Sequence, residues 1–136
     1  MRKTQDTLLI CPPVISQYAA IGALAAGSRY VHDQRRGITD IRAVVQRALA
    51  PLIEDGVCQI PPAQGAFYFL LRVNSSRPAL ELAERLIGEH RVAVIPGNAF
   101  GLTNSCHLRV AYGALQQETA SEGIERLVRG LRALVK

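Results

Sequence analysis

Two well-separated stretches of this chain alternate between apolar and polar residues with a period of two, and that pattern commits the chain to a sheet. Over Gly65 to Val73 (Gly-Ala-Phe-Tyr-Phe-Leu-Leu-Arg-Val) the positions Phe67, Phe69, Leu71 and Val73 fall on one side, because successive side chains of a pleated strand point to opposite faces. Over Cys106 to Tyr112 the residues Cys106, Leu108, Val110 and Tyr112 face one way, while His107, Arg109 and Ala111 face the other. A shorter apolar run, Val92 to Ile95, is read as a third, buried strand stopped by a Pro96-Gly97 turn.

Between and around these strands the apolar spacing changes to three and four. Ile38, Ile41, Val44, Val45, Ala48, Leu49 and Leu52 mark one face of a long helix. Tyr30 to Arg36 could extend it upstream, although Gly37 weakens the join by about 1 kcal/mol relative to Ala, so a bent helix or two abutting ones is expected. An earlier Ala-rich helix, Gln17 to Ala26, has Ser16 as its expected N-cap and Gly27 as its end. Pro78 opens a helix carrying Ala79, Leu82, Ala83 and Leu86, and a closing helix from about Gln117 to Val135 carries Ile124, Leu127, Val128, Leu131, Leu134 and Val135. The expected fold is α+β: a small, mostly antiparallel three-stranded sheet with helices packed on one face. Pro12-Pro13 makes residues 1–15 a connector and leaves residues 16–136 as the domain.

With 136 residues and 49% hydrophobic composition, the chain can bury a modest single core and is not a disordered polypeptide. Its formal charge of +5 comes from fourteen Arg and two Lys, Lys3 and Lys136. The arginines are spread along the chain, many beside acids in helical patterns, without interleaved stacking aromatics, so a solvated surface is expected rather than a nucleic-acid partner. Cys11, Cys58 and Cys106 show neither zinc spacing nor a His cluster and read as buried thiols, with no metal expected. No apolar run is long enough for a membrane span and no secretory leader is read, which makes the cytoplasm the default location.

Three segments occurring in fixed order carry a family resemblance: Gln64-Gly65-Ala66-Phe67-Tyr68; then Val92-Ala93-Val94-Ile95-Pro96-Gly97-Asn98-Ala99-Phe100-Gly101; then Leu108-Arg109-Val110-Ala111-Tyr112. Together with Arg126-Leu127 in the closing helix, and with Gln5-Asp6-Thr7 through Cys11-Pro12-Pro13 and Ser16-Gln17 upstream, they make the chain resemble the C-terminal small domain of the class I/II, fold-type I aminotransferases. The resemblance implies a parent enzyme that uses pyridoxal 5'-phosphate to move an amino group between an amino acid and a 2-oxo acid. It also implies a large domain absent from this chain, and a homodimeric parent. A related lyase or decarboxylase would share most of these segments.

Arg109 is the position from which chemistry is most expected. A guanidinium offers two parallel donors that match a planar carboxylate, which a lysine cannot do, and strand alternation puts Arg109 on the face away from the core. Spacing alone favours the plainer reading, an exposed strand arginine of no special role; only the resemblance reverses this and makes it the anchor for the substrate α-carboxylate. Gly65 and Asn98 follow as substrate-binding candidates, against plainer readings as a strand-opening glycine and a turn residue. Phe67 and Tyr68 lie near the substrate end in the family, but core aromatics are the simpler reading. His32, His90 and His107 read as surface histidines. The lysine that would hold the cofactor, and the groups that would hold its phosphate, are not identifiable, so no catalytic or cofactor-binding residue is assigned and the chain alone is expected to be inactive. The competing reading is a non-catalytic α+β module for ligand binding or interaction.

Overall fold

In the computed structural model, which describes residue 8, residues 11–113 and residues 116–135, the alternating stretches become the centre of one sheet. Its strands are β1 (Cys58–Gln59), β2 (Tyr68–Val73), β3 (Ile95–Pro96) and β4 (His107–Ala111), in the order β1-β2-β4-β3 with every pair antiparallel. The central register is Tyr68↔Ala111, Phe69↔Val110, Leu70↔Arg109, Leu71↔Leu108 and Arg72↔His107. The α+β class is therefore the expected one, but the sheet has four strands rather than three. The added strand, β1, is only two residues long and pairs Cys58 with Val73, too short to display any period.

The helices are α1 (Val14–Glu54), α2 (Ala79–His90) and α3 (Gln117–Leu134), with a single 3-10 turn at Gly97–Phe100. Two compact units divide the chain, Met1–Arg36 and Gly37–Lys136. In the first, helical residues begin at Val14, two places before the expected cap, because the N–H groups of both Ser16 and Gln17 donate to the Pro13 carbonyl. Gly27 does interrupt the helix, with φ 68° and ψ −167°, a backbone region essentially closed to residues with a Cβ, yet the chain resumes helical geometry directly after it. Val14, Tyr18, Ile21 and Leu24 are all exposed in this unit. Of the residues 1–15 read as a connector, most lie outside the described residues; Cys11 is exposed, not buried as the composition suggested.

The second unit contains the core. Val45, Leu49 and Leu52 of α1, Leu82 and Leu86 of α2, and Ile124, Leu127 and Leu131 of α3 meet Phe69, Leu71, Cys106 and Leu108 from one face of the sheet. These are the residues the periodicity selects, and burying a Leu or Phe side chain contributes roughly 1.5–3 kcal/mol. Phe67 departs from the pattern, standing 50% exposed one residue before β2 begins. The run Val92 to Ile95 is mostly not strand: Arg91 closes α2 in a left-handed conformation (φ 54°), the Val92 N–H returns to the Leu86 carbonyl, and pairing starts only at Ile95. Surface arginines pair with acids four residues further on, as in Arg77–Glu81 at 2.8 Å and Arg85–Glu89 at 2.6 Å. No helix among the described residues is long and apolar enough to cross a membrane.

Candidate functional site

The sheet face turned away from the helices carries Tyr68, Leu70 and Arg72 from β2 and His107, Arg109 and Ala111 from β4, since these are paired across the two strands and alternate with the buried set. Arg109 is at the centre of this face, between Leu70 on one side and Ile95 of β3 on the other. Its guanidinium carbon lies 4.5 Å from the centroid of the Tyr68 ring and 5.4 Å from that of Phe100, which the 3-10 turn delivers from beyond β3. Its Nε is buried and has no hydrogen-bond partner among the described residues, and no carboxylate there pairs with its guanidinium. A charged donor enclosed by rings and left without an acceptor is an expensive arrangement. The outer guanidinium nitrogens, which no carboxylate among the described residues engages, are the donors left for an incoming anion.

Tyr68 is 37% exposed and Phe100 48% exposed, so neither is the core aromatic that the simpler reading of Tyr68 supposed. The turn that presents Phe100 is held by a close approach: a Cβ built on Gly97 would stand 2.6 Å from the Cβ of His107 and 3.1 Å from its carbonyl oxygen. The half-buried His107 is itself tied down, its Nδ1 lying 3.2 Å from the Ser105 hydroxyl.

Asn98 belongs to the same turn, is exposed, and lines a groove with Ser75, Ser76, Thr103 and Asn104. Gly65 is exposed, and nothing lies within 4 Å of where its Cβ would be; the unusual backbone belongs to its neighbour Ala66, with φ 63°. Residues 63–67 are held mainly through their carbonyls. Arg42 of α1 donates to the carbonyls of Ala63 and Gly65 and sits 5.2 Å from the Phe69 ring centroid. The Tyr112 N–H donates to Phe67 at 2.9 Å and its hydroxyl to Ala66 at 3.4 Å. Nothing in the sequence marks Arg42 for this task, because a helix arginine reaching a loop 21 residues away leaves no local signature. Among the described residues no cluster of three or more His, Cys, Asp or Glu could hold a metal ion.

The family model described as aminotransferase class I and II matches residues 1–127. The chain belongs to that family. Similar proteins include an aromatic aminotransferase of Arabidopsis thaliana, 32% identical over 134 residues covering 98% of this chain and 33% of that protein. An aspartate aminotransferase of Pyrococcus abyssi is 32% identical over 97% of this chain and 33% of its own length. Among solved structures, the aromatic aminotransferase of Pyrococcus horikoshii superposes with a TM-score of 0.77 at 30% identity, covering 98% of this chain and 36% of that one. The α-aminoadipate aminotransferase of Thermus thermophilus, solved with N-(5'-phosphopyridoxyl)-L-leucine, shares the fold with a TM-score of 0.81 at 23% identity, over 97% of this chain and 34% of that one. The chain spans about one third of the length of the curated relatives it matches.

Proposed function

We propose that this chain is the C-terminal small domain of a pyridoxal-phosphate-dependent aminotransferase, with residues 1–15 as the connector from a large domain, and that Arg109 grips the α-carboxylate of the amino-acid or 2-oxo-acid substrate. One observation carries this reading: the Arg109 guanidinium stands on the open sheet face between two rings, without an acid partner among the described residues. Holding the carboxylate fixes how the substrate's Cα–H bond is presented, and such orientation is a large part of what an active site contributes. The cofactor supplies the electron sink when bound. The described residues do not fit it themselves: they include no lysine to meet its aldehyde, since Lys3 and Lys136 both fall outside them. The cofactor would be held by the large domain, in a homodimeric, cytoplasmic parent. Exposed Tyr18, Ile21 and Leu24 in the unit Met1–Arg36 offer apolar surface suited to contact with further polypeptide. Asn98 and Gly65 remain substrate-side candidates only through contacts made by that large domain.

The test is Arg109→Ala in the complete polypeptide that contains this chain. Charged hydrogen bonds of this kind contribute about 1.5–3 kcal/mol, so kcat/KM for amino-acid donors should fall roughly 10- to 100-fold while the cofactor absorbance band is retained. Equal losses with amines lacking the carboxylate would defeat the assignment.

A further inference from the structure

The contacts around Arg109 come from three separate pieces of chain. Tyr68 opens β2, Arg109 lies within β4, and Phe100 ends the 3-10 turn. Neither ring is recruited by the core, since both remain partly exposed, so their placement over a cation calls for a reason other than burial. An arginine on an open sheet face ordinarily samples many rotamers, and ordering it costs side-chain entropy. Two aromatic faces against the guanidinium carbon remove much of that freedom, because the attraction of a cation to a ring acts at the ring face. The enclosed Nε is out of reach of any ligand, which closes the side-on fork made by Nε and one Nη.

We infer that Tyr68 and Phe100 are positioning residues that hold the Arg109 guanidinium in one orientation, so that it receives a carboxylate end-on through Nη1 and Nη2. The inference rests on the carboxylate-anchor reading of Arg109 and adds to it what decides the angle of approach. A carboxylate taken end-on lies along the axis of the arginine side chain, and the rest of the substrate is directed outward from the sheet face.

The experiment uses the complete polypeptide, with the proteinogenic amino acid that gives it the highest kcat/KM as donor and the corresponding amine as comparator. Tyr68→Leu and Phe100→Leu should each raise the amino-acid KM about 3- to 30-fold, with little change for the amine. Tyr68→Phe keeps the ring face and should stay within about 2-fold of the parent. Because Phe100 is about half exposed, its variant serves where Tyr68→Leu perturbs folding. If Arg109→Ala raises the KM but both leucine variants leave it unchanged, the positioning role is wrong and the anchor stands. A Tyr68→Phe defect as large as that of Tyr68→Leu would assign the effect to the hydroxyl and overturn the inference. An unchanged KM in Arg109→Ala removes the anchor itself and this inference with it.

Discussion

A methyl group on Gly97 would be driven to 2.6 Å from the His107 Cβ, against backbone-anchored atoms that cannot swing aside. The Gly97→Ala substitution should therefore push the 3-10 turn off β4 and cost roughly 1–3 kcal/mol, the range for overpacking a filled site. Because Phe100 leaves from that turn and His107 is two residues from Arg109 on the same face, the loss of thermal stability should be accompanied by a raised KM for carboxylate substrates in the complete protein. A melting temperature within a degree or so of the parent would show that the turn can shift freely. Sequence alone revealed which face Arg109 occupies, since alternation from Leu108 and Val110 leaves no choice. It could not supply the two rings: Tyr68 and Phe100 reach Arg109 through strand pairing and a turn direction, both set by tertiary structure. The backbone next to Gly65 was not legible either. The left-handed residue is Ala66, whose carbonyl is engaged by Tyr112, a contact made across strands that leaves no local signature.

The meeting of α2 and α3 turns on another glycine with a different balance. A Cβ on Gly130 would lie 2.5 Å from Leu86 Cδ2 and 3.0 Å from the His90 ring, but both are outer parts of side chains with torsions to spare. Alanine also gains about 1 kcal/mol of helix propensity over glycine. Gly130→Ala should thus change stability by no more than about 1 kcal/mol, clearly less than Gly97→Ala, whereas Gly130→Leu should separate the helices and cost more. Paired denaturant titrations decide it: a Gly130→Ala loss equal to that of Gly97→Ala would show that Leu86, fully buried in the core, has no alternative rotamer. At this scale the long periodic segments were legible. The helices carrying Leu82 and Leu127 and the strands carrying Leu71 and Leu108 appear where their apolar spacing puts them. What failed were short pieces whose state depends on a neighbour. β1 exists because Cys58 and Gln59 meet Val73 and Arg72 across a loop, and the run beginning at Val92 loses strand character to the left-handed close of α2 at Arg91.

At the scale of the whole core unit, Gly37–Lys136, the sheet and the helical residues packed on it enclose two thiols, Cys58 and Cys106, on either side of Val73: Cys58 pairs with it in the ladder, and the Val73 N–H donates to the Cys106 carbonyl at 2.8 Å. Burial raises both thiol pKa values above the ordinary one, because the apolar surroundings disfavour the thiolate. The sign of the linkage follows. With the folded pKa raised, the unfolded chain releases its protons first, so this contribution is complete below the ordinary thiol pKa of about 8.5 and is lost as pH rises through the folded value. The denaturation midpoint should therefore fall more steeply in the alkaline range for the parent than for a Cys58→Ala, Cys106→Ala double variant. The cavities left by alanine lower the variant's curve at every pH, so the slopes carry the comparison, not the heights. The same enclosure should make Cys58 and Cys106 unreactive towards a thiol reagent until denaturant opens the fold. Parallel alkaline slopes, together with prompt labelling of both thiols under native conditions, would mean that the sheet opens between β1 and β4 far more readily than a core packed around Val73 and Leu108 allows.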